Sequence, residues 1–195
     1  MKTTLKLIGG KKIISPKEDI TRPTTLMVRE ALFNILRGNV LNSNWLDLFS
    51  GTGAISCEAI NHGAKKIIAI EKSRINSEIC FKNIFSVAQA TSMRDGITVL
   101  REDAFSWLKS KNNTKESNVT SNEGFEFDFV YIDPPYKSNY YEAILDLLRD
   151  NKFIGQTTTI ICEHSKYSDF KIGNYFKLND ERVYGQTKLK FLVKV

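Results

Sequence analysis

The sequence predicts an α/β fold: a mostly parallel sheet with helices on both faces and an antiparallel pair at its C-terminal edge. Three observations carry this. Short apolar runs recur from residue 44 onward. Helical segments separate them at the spacing of βαβ units, which implies parallel strands covered on both faces. At the end of the chain the pattern changes, and "NYFKL" (174–178) and "KLKFLVKV" (188–195) flank Gly185 as an antiparallel pair.

In chain order, residues 1–40 form a basic arm and a helix packed on the core. In "TRPTTLMVREALFNILRG", Thr24 or Thr25 caps the helix, and Val28, Leu32, Ile35 and Leu36 make its apolar stripe before Gly38. Residues 41–195 form a single globular domain. Its strands are expected at 44–49, 66–71, 96–100, 127–132 and 157–163, with helices at about 53–62, 73–89, 103–110 and 139–150. The polar stretch "KSKNNTKESNVTSNEGFE" (109–126) has little to bury and reads as a surface loop.

Composition narrows the function. The chain has 195 residues and 42% apolar content, enough for one well-filled core. No apolar run approaches the roughly 18 residues of a membrane-spanning helix, so a cytoplasmic protein without membrane contact is expected. Cys57, Cys80 and Cys162 are scattered in apolar contexts, and His62 and His164 stand apart from them; this spacing offers no metal site. Charge is concentrated at the start. Residues 1–40 hold eight Lys/Arg against three acids and so carry five of the six net positive charges. Such an arm on a near-neutral body suits contact with a polyanion.

The chemistry lies where strands end. "LDLFSGTGAISCEAI" follows the first strand of the domain and opens a helix. Gly51 and Gly53 permit a tight turn and close ligand approach, with Asp47 at the strand end. Ser56 stands where a dinucleotide fingerprint would have its third glycine, which counts against an oxidoreductase. Glu71 follows the second strand, twenty residues after Gly51, and is placed to accept hydrogen bonds from ribose hydroxyls. Asp103 and Ala104, after the third strand, are placed for the exocyclic amine and ring of an adenine, with Phe105 beside them. After the fourth strand, "DFVYIDPPY" ends abruptly: Pro134 and Pro135 forbid continuation and hold Asp133 at the carboxyl end of the sheet, where ligands bind in open α/β folds. Each acid taken singly also suits a helix cap or a turn. Their joint placement at four consecutive strand ends favours a ligand site.

With these residues the sequence resembles the class I S-adenosylmethionine-dependent methyltransferases that carry a D/N-P-P-Y/F tetrad. More specifically, "RPTTLMVREALFNIL", "LDLFSGTGAISCEAINHGA", "VYIDPPY" and "VYGQTKL" resemble the RsmD-type bacterial enzymes. The resemblance implies a Rossmann-like fold with a seven-stranded sheet and S-adenosyl-L-methionine as cofactor. It further implies methylation of the exocyclic N2 amine of a guanine in 16S ribosomal RNA, in the small ribosomal subunit or its assembly intermediate, by a monomer. Asp133, Pro134, Pro135 and Tyr136 would be catalytic, and Lys6, Lys11, Lys12, Arg22 and Arg29 would contact RNA. In the arm, "GGKKIISP" has two lysines where family members carry an Arg-rich turn. The same tetrad serves adenine-N6 methyltransferases of DNA or RNA, the DNA enzymes usually with a target-recognition domain that this chain lacks. Protein glutamine methyltransferases favour Asn where this chain has Asp133.

Overall fold

The computed structural model describes residues 3–16, 24–91, 93, 95–113, 125–135 and 140–195. Their elements are β1 (Thr3–Lys6), β2 (Lys12–Ser15), α1 (Leu26–Leu36), β3 (Asn44–Asp47), α2 (Ala54–Asn61), β4 (Lys66–Ile70), α3 (Arg74–Ala90), β5 (Ile97–Leu100), α4 (Ala104–Asn113), β6 (Phe129–Ile132), α5 (Tyr140–Arg149), β7 (Thr159–Ser165), β8 (Phe176–Tyr184) and β9 (Thr187–Lys194). Strands β3 to β9 form one mixed sheet in the order β5-β4-β3-β6-β7-β9-β8, and β1 and β2 pair separately. This is the expected fold class. Two compact units are distinguished, residues 1–101 and 102–195.

In the first unit β3, β4 and β5 run parallel, with Trp45 opposite Ile67 and Ile67 opposite Ile97. Ile67, Ile68, Ala69 and Ile70 of β4 are wholly buried, as a strand covered on both faces requires. Thr25 caps α1, its hydroxyl accepting from the Val28 N–H at 3.3 Å. Val28, Leu32 and Leu36 of the expected stripe are buried, Ile35 is only partly covered, and Phe33, outside that stripe, is buried instead: it stacks on Trp45, with ring centroids 5.7 Å apart, and on the His62 ring at 4.6 Å. The helix ends at Arg37, whose φ of 44° closes its N–H onto the Phe33 carbonyl. A 3-10 turn over Arg37–Val40 follows, so Gly38 is not the stop.

The arm has structure that its sequence did not announce. β1 and β2 pair antiparallel, with Thr4 opposite Ile14 and Lys6 opposite Lys12. Gly9 (φ 83°) and Gly10 (φ 94°) make the turn. Each strand has only four residues and its apolar content is small, so periodicity gave no signal.

In the second unit β6 is buried along its whole length and lies parallel to β7, with Ile132 opposite Cys162. α5 buries Tyr141, Ile144, Leu145 and Leu148 on one face. β9 joins β7 antiparallel and is followed outward by β8. β8 runs to Tyr184, well past the expected 174–178, because "NDER" (179–182) is largely exposed and is held by pairing with β9 rather than by apolar burial. Of the polar stretch 109–126, residues 109–113 extend α4, and 114–124 lie outside the described residues.

Candidate active site

β3 delivers Asp47 to the start of the glycine turn. The side chain is 1% exposed. Its Oδ2 accepts from the Ser56 hydroxyl at 2.7 Å, and its Oδ1 is buried with no hydrogen-bond partner among the described residues. Burial pushes this carboxyl up to about 7, the Ser56 hydrogen bond acting in the opposite direction. Ser56, which breaks the dinucleotide fingerprint, therefore orients a buried acid at the head of the turn.

The turn itself depends on glycine at two points. Gly51 has φ 52° and Gly53 φ 78°, both in the left-handed region. A Cβ on Gly53 would also lie 2.9 Å from Cys80 Sγ, whereas one on Gly51 would meet nothing within 4 Å. Gly53 is thus fixed by conformation and space, and Gly51 by conformation alone. Glu71, half-buried at the end of β4, closes the turn from the side. The Gly51 N–H donates to Oε2 at 2.9 Å and the Ser73 N–H to Oε1 at 2.7 Å. Burial raises the Glu71 pKa, opposed by these backbone N–H groups. With two lone pairs on each oxygen, the carboxylate keeps acceptor capacity beyond these bonds.

Within the same unit the arm's charges divide. Lys6 and Lys12 are exposed and directly opposite on the hairpin. Lys11 is partly exposed and donates through Nζ to the Ser86 carbonyl at 2.7 Å. Arg22 lies outside the described residues. Arg29 corrects an expectation, since its charge suggested RNA contact and its side chain is 1% exposed. Nε meets Glu58 Oε1 at 3.2 Å, while the terminal nitrogens donate to the carbonyls of Thr24 and Lys6 at 2.5 and 2.6 Å. Glu58 also accepts the Ile8 N–H at 2.8 Å. A guanidinium so enclosed is a strut joining hairpin, α1 and α2. The signal was available: Arg29 falls on the stripe of Val28, Leu32, Phe33 and Leu36, and a buried cation requires a buried acid such as the one inside "GAISCEAI".

In the second unit, Asp103 Oδ1 accepts from the Ser106 N–H at 3.1 Å and its hydroxyl at 3.3 Å, at the start of α4. Ala104, 3% exposed, is the first helical residue. Phe105 meets Tyr140 edge-on at 5.1 Å and is only partly covered. Asp133 follows β6 and is half-buried, Pro134 is buried and Pro135 exposed; Tyr136 lies outside the described residues. Just before Asp133 the strand is tied to its neighbour. Tyr131, two residues earlier, donates to the Glu163 carboxylate of β7, and Tyr141 of α5 donates to the Glu163 carbonyl. Sequence reasoning passed over Glu163, though a charged residue inside the apolar "TIICE" signalled it.

Among the described residues no group of three or more His, Cys, Asp or Glu is arranged to hold a metal ion, and no helix is long and apolar enough to cross a membrane. All three cysteines are free and buried.

A parallel sheet closed by an antiparallel pair, with a glycine turn and an acid after the next strand, defines a class I S-adenosylmethionine-dependent methyltransferase. Its fold is shared with the Thermus thermophilus 16S rRNA N2 G1207 methyltransferase RsmC, solved with AdoMet and guanosine. That match has a TM-score of 0.66 and 15% identity, and covers all of this chain and 50% of the other. The chain belongs to the family described as conserved hypothetical protein 95, whose model matches residues 5–193. It is 29% identical to ribosomal RNA small subunit methyltransferase D of Escherichia coli K12 over 187 residues, 93% of this chain and 86% of the relative. It is also 29% identical to an uncharacterized methylase, RP545, of Rickettsia prowazekii, covering 96% and 97%. The structure of yhhF from Escherichia coli, named a candidate methyltransferase, matches with a TM-score of 0.76 and 26% identity over 98% of both chains. The cofactor is S-adenosyl-L-methionine. The residues present fit it: the buried, unpartnered Asp47 Oδ1 suits an ammonium, and Glu71 retains acceptor capacity for vicinal hydroxyls.

Proposed function

We propose that the protein methylates the exocyclic N2 amine of a guanine in 16S ribosomal RNA, presented by a small-subunit particle, as a cytoplasmic monomer. The observation that carries this reading is the ending of β6, a fully buried strand stopped by Asp133, Pro134 and Pro135. An amine conjugated to a base ring is a poor nucleophile because its lone pair is delocalised. The Asp133 carboxylate and the Pro134 carbonyl accept its two N–H groups, hold the nitrogen in line for attack and favour its pyramidalisation. Tyr136 stacks on the target base once it is drawn out of its surroundings. Bound S-adenosylmethionine supplies a methyl group activated by its sulfonium. The amine nitrogen would take that methyl group, and the proton it then sheds would pass to solvent, so Asp133 need not act as a strong base. On the cofactor side, Asp47 pairs with the ammonium, Gly51 and Gly53 admit the amino-acid end, Glu71 takes the ribose hydroxyls, and Asp103 with Ala104 takes the adenine.

The arm supports an RNA substrate by its charge pattern. Lys6 and Lys12 stand directly opposite each other, an arrangement that like charges disfavour and that a phosphate between them relieves. The name of the Escherichia coli relative agrees with a small-subunit target. The reading is tested by nucleoside mass spectrometry of 16S rRNA from cells with and without the gene. Loss of one N2-methylguanosine per molecule on deletion is expected; an unchanged content, or loss of N6-methyladenosine instead, overturns it.

A further inference from the structure

Within the first unit the arm hairpin and the glycine turn meet on one side chain. Asn83, in the middle of α3, is 2% exposed. Its Oδ1 accepts the Ile14 N–H at 2.8 Å, and its Nδ2 donates to the Ile14 carbonyl at 2.8 Å and to the Thr52 carbonyl at 2.9 Å. Both N–H groups of the amide are engaged. Ile14 lies opposite Thr4 in the hairpin and gives both its backbone groups to Asn83, so the amide continues the hairpin as a neighbouring strand would. Thr52 sits between the two left-handed glycines, one residue from the N–H that Glu71 holds. Asparagine is a mediocre helix former in a helix interior, and its presence here is accounted for by these bonds.

We propose that Asn83 is a positioning residue that couples RNA seated on the arm to cofactor seated on the glycine turn. The inference rests on reading the arm as an RNA surface. A shift of β2 carries Ile14 with it, and Asn83 follows only by pulling or releasing the Thr52 carbonyl. Gly51 and the carboxylate of Glu71 are thereby re-aimed. Such coupling is reciprocal: RNA tightens cofactor binding by the same factor as cofactor tightens RNA binding.

The test is calorimetric titration of S-adenosylhomocysteine into the full-length protein, with and without saturating small ribosomal subunits. It uses the parent, Asn83→Ala and Ile14→Pro. The proline removes one N–H from the Ile14 contact and leaves Asn83 and its bond to Thr52 in place. For the parent, the dissociation constant is expected to fall on the order of fivefold when RNA is bound. The ratio falls to about one in Asn83→Ala and moves toward one in Ile14→Pro, while each ligand still binds alone. A structural role alone would lower the melting temperature of the variants and leave the ratio at the parent's value; that result overturns the proposal. A parent ratio of one also overturns the coupling, leaving the methyltransferase reading intact. A parent that binds S-adenosylhomocysteine but no small subunits removes the RNA reading and the coupling together.

Discussion

Asp47 and Glu71 lie at the ends of adjacent parallel strands, and their surroundings assign them different work. Asp47 is wholly buried, and its carboxyl is raised to about 7 from an ordinary 3.8. The folded state therefore holds a proton that the unfolded chain releases. The stability this contributes is complete below pH 3.8 and is lost as pH climbs to about 7. The shift corresponds to on the order of 4 kcal/mol. Asp47→Asn keeps an acceptor for the Ser56 hydroxyl and removes the titration. Urea denaturation is expected to show a variant more stable than the parent at pH 8, with a flatter pH dependence between 5 and 8, and with weaker binding of S-adenosylmethionine. A variant as pH-dependent as the parent would mean that another group titrates. Glu71→Ala is expected to weaken cofactor binding by about 1.5–3 kcal/mol, the range for charge-assisted hydrogen bonds, with RNA affinity unchanged. An unaltered cofactor dissociation constant in calorimetry would reduce Glu71 to a clamp on the Gly51 N–H.

Among the elements, the arm hairpin shows how one charge-rich segment serves two purposes. Arg29 and Glu58 are fully enclosed and join the hairpin to α1 and α2. Arg29→Ala strands the Glu58 carboxylate, and a stability loss of about 3–5 kcal/mol is expected in denaturant titration. Unchanged stability together with weakened RNA binding would return Arg29 to the surface role its charge suggested. Lys6 and Lys12 behave oppositely. Replacing both with Ala is expected to leave stability within about 0.5 kcal/mol. It should reduce the salt dependence of RNA binding by up to about 0.7 in log–log slope per lost single-strand contact; an unaltered slope would make the pair a solvated face. The sequence was legible in proportion to how apolar each element is. β4 and β6 were read correctly as buried strands, because "KIIAIE" and "FDFVYI" leave no alternative, and α5 carries its stripe openly. β1, β2 and the outer half of β8 escaped, because backbone pairing and side-chain clamps such as Asn83 hold them, and neither leaves a hydrophobic period.

For the whole molecule, the fold and the family define a methyltransferase, and the candidate residues follow strands in each unit. The first unit presents the glycine turn, Asp47, Glu71 and the arm; the second presents Asp103 and the Asp133-Pro-Pro ending. The positions of the candidate acids after the strands were legible, because an acid closing an apolar run is conspicuous. Their detailed partners were not, since Ser56 on Asp47, Ser73 on Glu71 and Tyr131 on Glu163 arise from three-dimensional placement. The proposed role of Asp133 is to hold the N2 amine of a guanine for methyl transfer. Its most direct test supplies methyl-labelled S-adenosylmethionine and small ribosomal subunits from cells lacking the gene to the purified parent and Asp133→Ala, and identifies the labelled nucleoside after digestion. The parent is expected to label N2-methylguanosine alone. Asp133→Ala should bind the cofactor within a few-fold of the parent and transfer methyl groups about a hundredfold more slowly, as the loss of about 3 kcal/mol at the transition state dictates. Label in N6-methyladenosine, or equal rates for the two proteins at saturating RNA, would contradict that role.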